Sequence, residues 1–157
     1  MSTSKQPVFK PRILVTDDEA GIRSALREIL EFEDYEVEEA ADGYHALKLL
    51  RERKEAGTPE TTVHLMLLDI KMKGIDGFEV LKALNEEQLA VPVIMLTGHG
   101  TIEMAVQATR LGAFDFLEKP PDLNRLLIGG SALGGRHGNR IVGFQLSVRK
   151  SAFKCRF

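Results

Sequence analysis

The chain has a single cysteine, Cys155, no tryptophan, only two tyrosines, and no apolar run near membrane-spanning length. One cysteine excludes an intramolecular disulfide and a cysteine-rich zinc site. A membrane helix needs roughly 20 consecutive apolar residues, and "HLMLL" and "VIML" fall far short. The opening "MSTSKQPVFKPR" lacks the apolar segment of a signal peptide, so residues 1–10 read as a short leader. These absences favour a cytoplasmic protein. Acidic residues are missing too, but only from one end. Residues 1–122 hold 14 Lys and Arg against all 23 Asp and Glu, a formal charge of −9; residues 123–157 hold the other seven basic residues and no acid. The net charge of −2 conceals two dissimilar segments.

What is present alternates between two hydrophobic periods. "RILVT" (12–16) is a buried-strand run, and Ile22, Leu26, Ile29 and Leu30 then fall on one helical stripe. "YEVEEA" (35–40) alternates as a strand, followed by a helix with Tyr44, Leu47 and Leu50 on its inner face. "HLMLL" (64–68) is a third strand, and Phe78, Leu81 and Leu84 line a third helix. "VIMLT" (93–97) is a fourth strand, with Ile102, Ala105, Val106 and Thr109 marking a fourth helix; "AFDFLE" (113–118) is a fifth strand. Five such alternations predict a doubly wound α/β fold: a five-stranded parallel sheet in the order 2-1-3-4-5, flavodoxin-like, with helices on both faces. A fifth helix should begin near Asp122, with only "DLNRLLI" before Gly129-Gly130. Residues 129–157 are Gly- and Arg-rich, basic, and read as lying outside the domain at 11–128.

In an open parallel sheet, ligands bind beyond the carboxyl ends of the strands. The polar residues predicted there are Asp17 and Asp18 after strand one, Asp69 after strand three, Thr97 after strand four and Lys119 after strand five. Three carboxylates in one crevice repel unless a cation sits among them. Oxygen donors suit a hard divalent ion, with Mg²⁺ the natural choice. Lys119 and Thr97 add a point charge and a hydroxyl for phosphate oxygens. That set suits phosphoryl transfer onto an Asp, which makes Asp69 the candidate acceptor. Helix capping competes as a reading of Asp17, Asp18 and Thr97, and a solvated strand end competes for Lys119. Asp76 and Gly77 read as turn and helix start, and His64 and His99 as exposed residues without metal-ligand spacing.

The motifs "ILVTDDE", "LMLLDIKMKGIDGFEVL" and "VIMLTGHGTIEMAVQATRLGAFDFLEKP" resemble the receiver domain of two-component response regulators, over roughly residues 11–127. The third is most similar to receivers of nitrogen-regulator-type transcriptional activators. The resemblance implies that Asp69 takes a phosphoryl group from a histidine kinase. It implies that Asp17, Asp18, Asp69 and the backbone carbonyl of Lys71 bind Mg²⁺, and that Thr97 and Lys119 contact the phosphoryl oxygens. Phe116 takes the aromatic switch position, which without the resemblance reads as a core aromatic. The Lys119–Pro120 bond is expected cis.

The implied partners are a sensor histidine kinase and a downstream output domain or protein, with homodimerisation through the face of the fourth helix, fifth strand and fifth helix in doubt because that last helix is cut short. No direct nucleic-acid binding is expected of residues 11–128, and no metabolic turnover. Lys73 stands where the family usually has Pro, so metal affinity and phosphate lifetime are expected to shift modestly. The basic tail departs from the family's usual continuation, as a truncation or altered reading frame would. Two rivals use similar residues. Aspartate-nucleophile phosphatases of the haloacid dehalogenase kind end strand one in Asp-x-Asp, whereas this strand ends "DDE". A silent pseudo-receiver would carry the same residues without the chemistry.

Overall fold

The computed structural model describes residues 10–119. Five short strands, β1 (Arg12–Thr16), β2 (Glu36–Ala40), β3 (Leu65–Asp69), β4 (Val93–Thr97) and β5 (Asp115–Glu118), pair in parallel in the order β2-β1-β3-β4-β5. Four helices, α1 (Ala20–Phe32), α2 (Gly43–Ala56), α3 (Gly77–Glu86) and α4 (Ile102–Arg110), connect them. The predicted strand order is therefore the observed one. The fifth helix, the Lys119–Pro120 bond, the leader and the tail fall outside the described residues.

Alternation along the strands divides the core. Ile13, Val15, Leu65, Leu67, Ile94 and Leu96 pack on one face with Leu26 and Leu30 of α1. Leu14, Met66, Leu68 and Met95 pack on the other with Leu47 and Leu50 of α2, Val80 and Leu84 of α3, and Ala108 of α4. Every residue of β3 and β4 is buried, which is why those strands lack alternation in the sequence. A fully buried aliphatic side chain contributes about 1.5–3 kcal/mol, so these strands anchor the fold. The same parity explains two of the three glutamates of the outer strand β2. Val37 and Glu39 face α1, where Arg27 pairs with Glu39; Glu38 faces α2 and pairs with Arg53.

Local signals set the helix boundaries. Asp42 caps α2 by accepting the His45 N–H at 2.7 Å, and Gly57 ends it at φ 61°. Asp76 and Glu79 form a reciprocal capping box at α3, in keeping with Asp76-Gly77 as turn and helix start. Thr101, not Thr97, caps α4 by accepting the Met104 N–H at 3.1 Å.

Three expectations are corrected. The inward residues of α4 are Met104, Ala108 and the following Leu111, while Ile102 is 85% exposed and Val106 half-exposed. Positions 102, 105, 106 and 109 mark the helix, as its span Ile102–Arg110 shows, but do not form its packed face. Tyr44 is exposed and lies over Gly74, leaving Ala46, Leu47 and Leu50 to line α2. His64 is buried, and its Nδ1 accepts the Arg12 N–H at 3.0 Å. Burial and the Arg12 charge lower its pKa, so the neutral ring is favoured. His99 is exposed as expected.

Candidate functional site

The carboxyl ends of β1, β3 and β5 bring together residues far apart in sequence. Asp69 is the last residue of β3, not the first beyond it, and is buried with Asp17. Lys119 Nζ lies 2.5 Å from Asp17 Oδ2 and 3.0 Å from Asp69 Oδ1. Asp17 Oδ1 accepts the Glu19 N–H at 2.9 Å, so both oxygens of that acid are engaged. Carboxylate oxygens of Asp17, Asp18 and Asp69 all lie within 4.8 Å of one another. A donor set made only of oxygens at that spacing fits a hard divalent cation of the Mg²⁺ kind. The capping reading of Asp17 and Asp18 loses its helix: the N-cap of α1 is Glu19, and its side chain makes no capping bond.

The electrostatics follow from this crowding. Burial raises the pKa of Asp69; the charges of Asp17 and Asp18 push the same way, and the hydrogen bond and charge of Lys119 oppose them. Burial also works against the charge of Lys119, but its hydrogen bonds to Asp17 and Asp69 more than offset that and raise its pKa. The lysine is thus firmly cationic, while the acid it shares is held in its charged form at a cost.

Thr97 is buried at the end of β4, its hydroxyl oxygen accepting the His99 N–H at 3.2 Å and its carbonyl accepting the Lys119 N–H at 2.6 Å. That second bond ties the lysine's main chain to the threonine's strand. Phe116 pairs with Met95 in the β4–β5 register and is half-buried against the helix α2–α4 side of the core. Thr97 continues the parity of Met95, so Thr97 and Phe116 belong to one sheet face while Asp17, Asp69 and Lys119 continue the parity of the other. Lys71 and Lys73 are exposed in the loop after β3.

Two contributors were not legible as site residues. Arg23 Nη1 donates to the main-chain carbonyl of Asp17 at 2.6 Å. The signal was a cation in the first turn of α1, where helix electrostatics favours an acid. Gly77 lies against the end of β3: a Cβ there would sit 2.5 Å from the Asp69 carbonyl oxygen and 2.9 Å from Ile70 Cα. Both are backbone atoms and cannot swing aside, and the Gly77 N–H donates to the Ile70 carbonyl at 2.8 Å. Gly77→Ala is therefore expected to cost about 2–3 kcal/mol, at the upper end for overpacking, read as a lowered urea midpoint. A midpoint equal to wild type would show that the loop relaxes freely.

Fold and site together define the class, a flavodoxin-like α/β domain with an acidic pocket at the carboxyl edge of its sheet. The pattern of the response regulator receiver domain matches residues 13–128, and the chain belongs to that family of two-component signalling proteins. The nitrogen assimilation regulatory protein NtrX of Azorhizobium caulinodans is 40% identical over 118 residues, which cover 74% of this chain and 24% of that protein. The crystal structure of NtrX from Brucella abortus superposes with a TM-score of 0.69 at 33% identity, covering 94% of this chain and 29% of that one. A CheY-like receiver domain from Methanospirillum hungatei JF-1 gives a TM-score of 0.70 at 26% identity, covering 93% of this chain and 99% of that one. The chain thus spans about a quarter of the length of its NtrX-type relatives.

Proposed function

We propose that the domain at residues 11–128 stores a signal as a phosphoryl group on Asp69, received from the phosphohistidine of a sensor histidine kinase. The observation that carries this reading is the Lys119 ammonium bridging Asp17 and Asp69, at 2.5 and 3.0 Å, beside a third carboxylate. In the transfer, an Asp69 oxygen forms a bond to phosphorus as the phosphorus–nitrogen bond breaks. The electron pair returns to the imidazole, and charge passes from donor to acceptor without a new group to deprotonate. Asp17, Asp18, Asp69 and the Lys71 carbonyl would hold Mg²⁺, which when bound supplies positive charge against the phosphoryl oxygens. Lys119 supplies a second cation there, and the Thr97 hydroxyl donates to a phosphoryl oxygen. Such transfer is mainly positioning and charge neutralisation, which these groups provide.

Once Asp69 carries the acyl phosphate, Lys119 and Thr97 gain a dianionic partner, and Thr97 moves toward it. Phe116 then turns inward on the face it shares with Thr97, altering the surface of α4 and β5. We read the output as transcriptional control, the role named for relatives such as the FixJ regulator of Bradyrhizobium diazoefficiens. A cytoplasmic setting, self-phosphorylation from small phosphodonors and self-dephosphorylation belong to the same reading. Direct nucleic-acid binding by residues 11–128 does not. No helix among the described residues is long and apolar enough to cross a membrane.

The test is intact mass after incubation with acetyl phosphate. The expected result is a gain of one phosphoryl group with Mg²⁺ present and none with excess chelator. Failure to label under either condition identifies a silent pseudo-receiver. Release of phosphate from generic monoesters favours the phosphatase rival.

A further inference from the structure

Helix α1 begins against the usual rules. Its N-cap, Glu19, offers no capping side chain, and its first turn holds no acid, although both would stabilise a helix start. It carries Arg23 there instead, a cation facing the positive end of the helix dipole. A local rule broken this way calls for a gain elsewhere.

The gain is in the contacts of the guanidinium. Its Nη1 donates to the Asp17 carbonyl at 2.6 Å, and its Nε lies 3.6 Å from Glu39 Oε1. Glu39 is itself fixed by Arg27, which donates to Oε2 through Nε at 2.8 Å, holds its Nη2 at the same distance as an ion pair, and reaches Glu31 at 2.9 Å. The Asp17 N–H donates to the carbonyl of Ala40, the residue after Glu39 on β2, at 3.2 Å. Both main-chain polar groups of Asp17 are therefore tied to β2, one directly and one through Arg23 and Glu39. The Arg23 side chain is only 16% exposed, so solvent screens this contact weakly.

We propose that Arg23, oriented by Glu39, is a positioning residue for the acidic pocket. It fixes the turn at Asp17 and Asp18 so that both carboxylates meet Asp69 around one divalent cation. It acts through the Asp17 main chain and touches neither metal nor phosphate. The inference rests on the reading of this pocket as a Mg²⁺ site. Outer groups that orient metal ligands typically change affinity by 10–100-fold when removed, and a contact to one carbonyl belongs at the lower end.

The experiment is calorimetric titration of the full chain with Mg²⁺ alone, for wild type, Arg23→Ala, Arg23→Lys and Glu39→Gln. Arg23→Ala is expected to bind about tenfold more weakly. Arg23→Lys should recover part of the loss, because an ammonium keeps the charge without the planar fork. Glu39→Gln should lie between wild type and Arg23→Ala. In chelator, amide exchange at Asp17, Asp18 and Glu19 should quicken in Arg23→Ala while the thermal midpoint stays near that of wild type. Raising Mg²⁺ should return acetyl phosphate labelling of Arg23→Ala to the wild-type plateau, since only binding was weakened. Wild type and Arg23→Ala binding Mg²⁺ equally would overturn the inference while leaving the pocket reading intact. A wild type that binds no Mg²⁺ overturns the pocket reading and this inference with it. Should Arg23→Ala fail to fold, Glu39→Gln decides: unchanged affinity in that variant overturns the proposal.

Discussion

Asp69→Asn is expected to take up no phosphoryl group from acetyl phosphate, and to fold more stably than wild type at neutral pH in metal-free buffer. The first effect follows from chemistry: an amide has no anionic oxygen to bond phosphorus, and the buried neighbour Asp17 is otherwise engaged. Asp17 gives its oxygens to Lys119 and the Glu19 amide. The second effect follows from linkage. Burial and the neighbouring acids raise the pKa of Asp69 despite Lys119. A carboxyl with a folded pKa above its unfolded one stabilises the fold below the unfolded pKa, and that contribution is lost as pH rises through the folded value. Wherever wild-type Asp69 is ionised it bears a buried charge that asparagine lacks, while Lys119 retains Asp17 as partner. The gain should be about 1 kcal/mol, in the range of stabilising substitutions at functional sites. It should shrink as pH falls through the raised folded pKa of Asp69 and be gone below the usual aspartate range, where wild type is protonated in both states. Urea midpoints across pH measure this. Equal midpoints at pH 7, or undiminished labelling of the variant, would count against it.

Lys119→Met should act in the opposite direction on stability and the same direction on labelling. The lysine side chain is 12% exposed and its two partners 1% and 5%, so its removal strands two buried carboxylates. Breaking a buried pair in this way costs about 3–5 kcal/mol. The loss should be largest in chelator and partly recovered by saturating Mg²⁺, because binding to the folded chain alone shifts the unfolding equilibrium. Labelling should slow by about a hundredfold even at saturating Mg²⁺, the effect of losing one preorganised charge partner in phosphoryl transfer. Stopped labelling time courses and urea melts of the same sample check both. A variant that melts like wild type in chelator would mean that the ion pairs are not formed in solution.

The sheet was legible because burial writes β1, β3 and β4 as apolar runs, and because crossover handedness leaves few strand orders. The site was legible for a related reason: Asp17, Asp69, Thr97 and Lys119 are polar residues at or just past the ends of apolar strands, and parallel topology sends all such ends to one edge. Where two apolar faces competed, the pattern misled. In α4 the stripe containing Ile102 and Val106 is as regular as the one that packs, Met104, Ala108 and Leu111. Tyr44 fits a helical stripe but packs on Gly74, which no periodicity encodes. His64 reads as a polar strand end; its burial depends on a main-chain donor, that of Arg12, 52 residues away. Arg23 and Gly77 escaped because their roles lie in contacts with backbone atoms, which side-chain patterns do not record.

The most direct measurement locates the phosphoryl group itself. Wild-type chain is incubated with Mg²⁺ and acetyl phosphate, the acyl phosphate is reduced with borohydride, and peptides are read by mass spectrometry. The expected outcome is reduction at Asp69 alone, lost when chelator replaces Mg²⁺. Modification at Asp17, Asp18 or a histidine, with Asp69 untouched, would contradict the assignment of Asp69 as the acceptor.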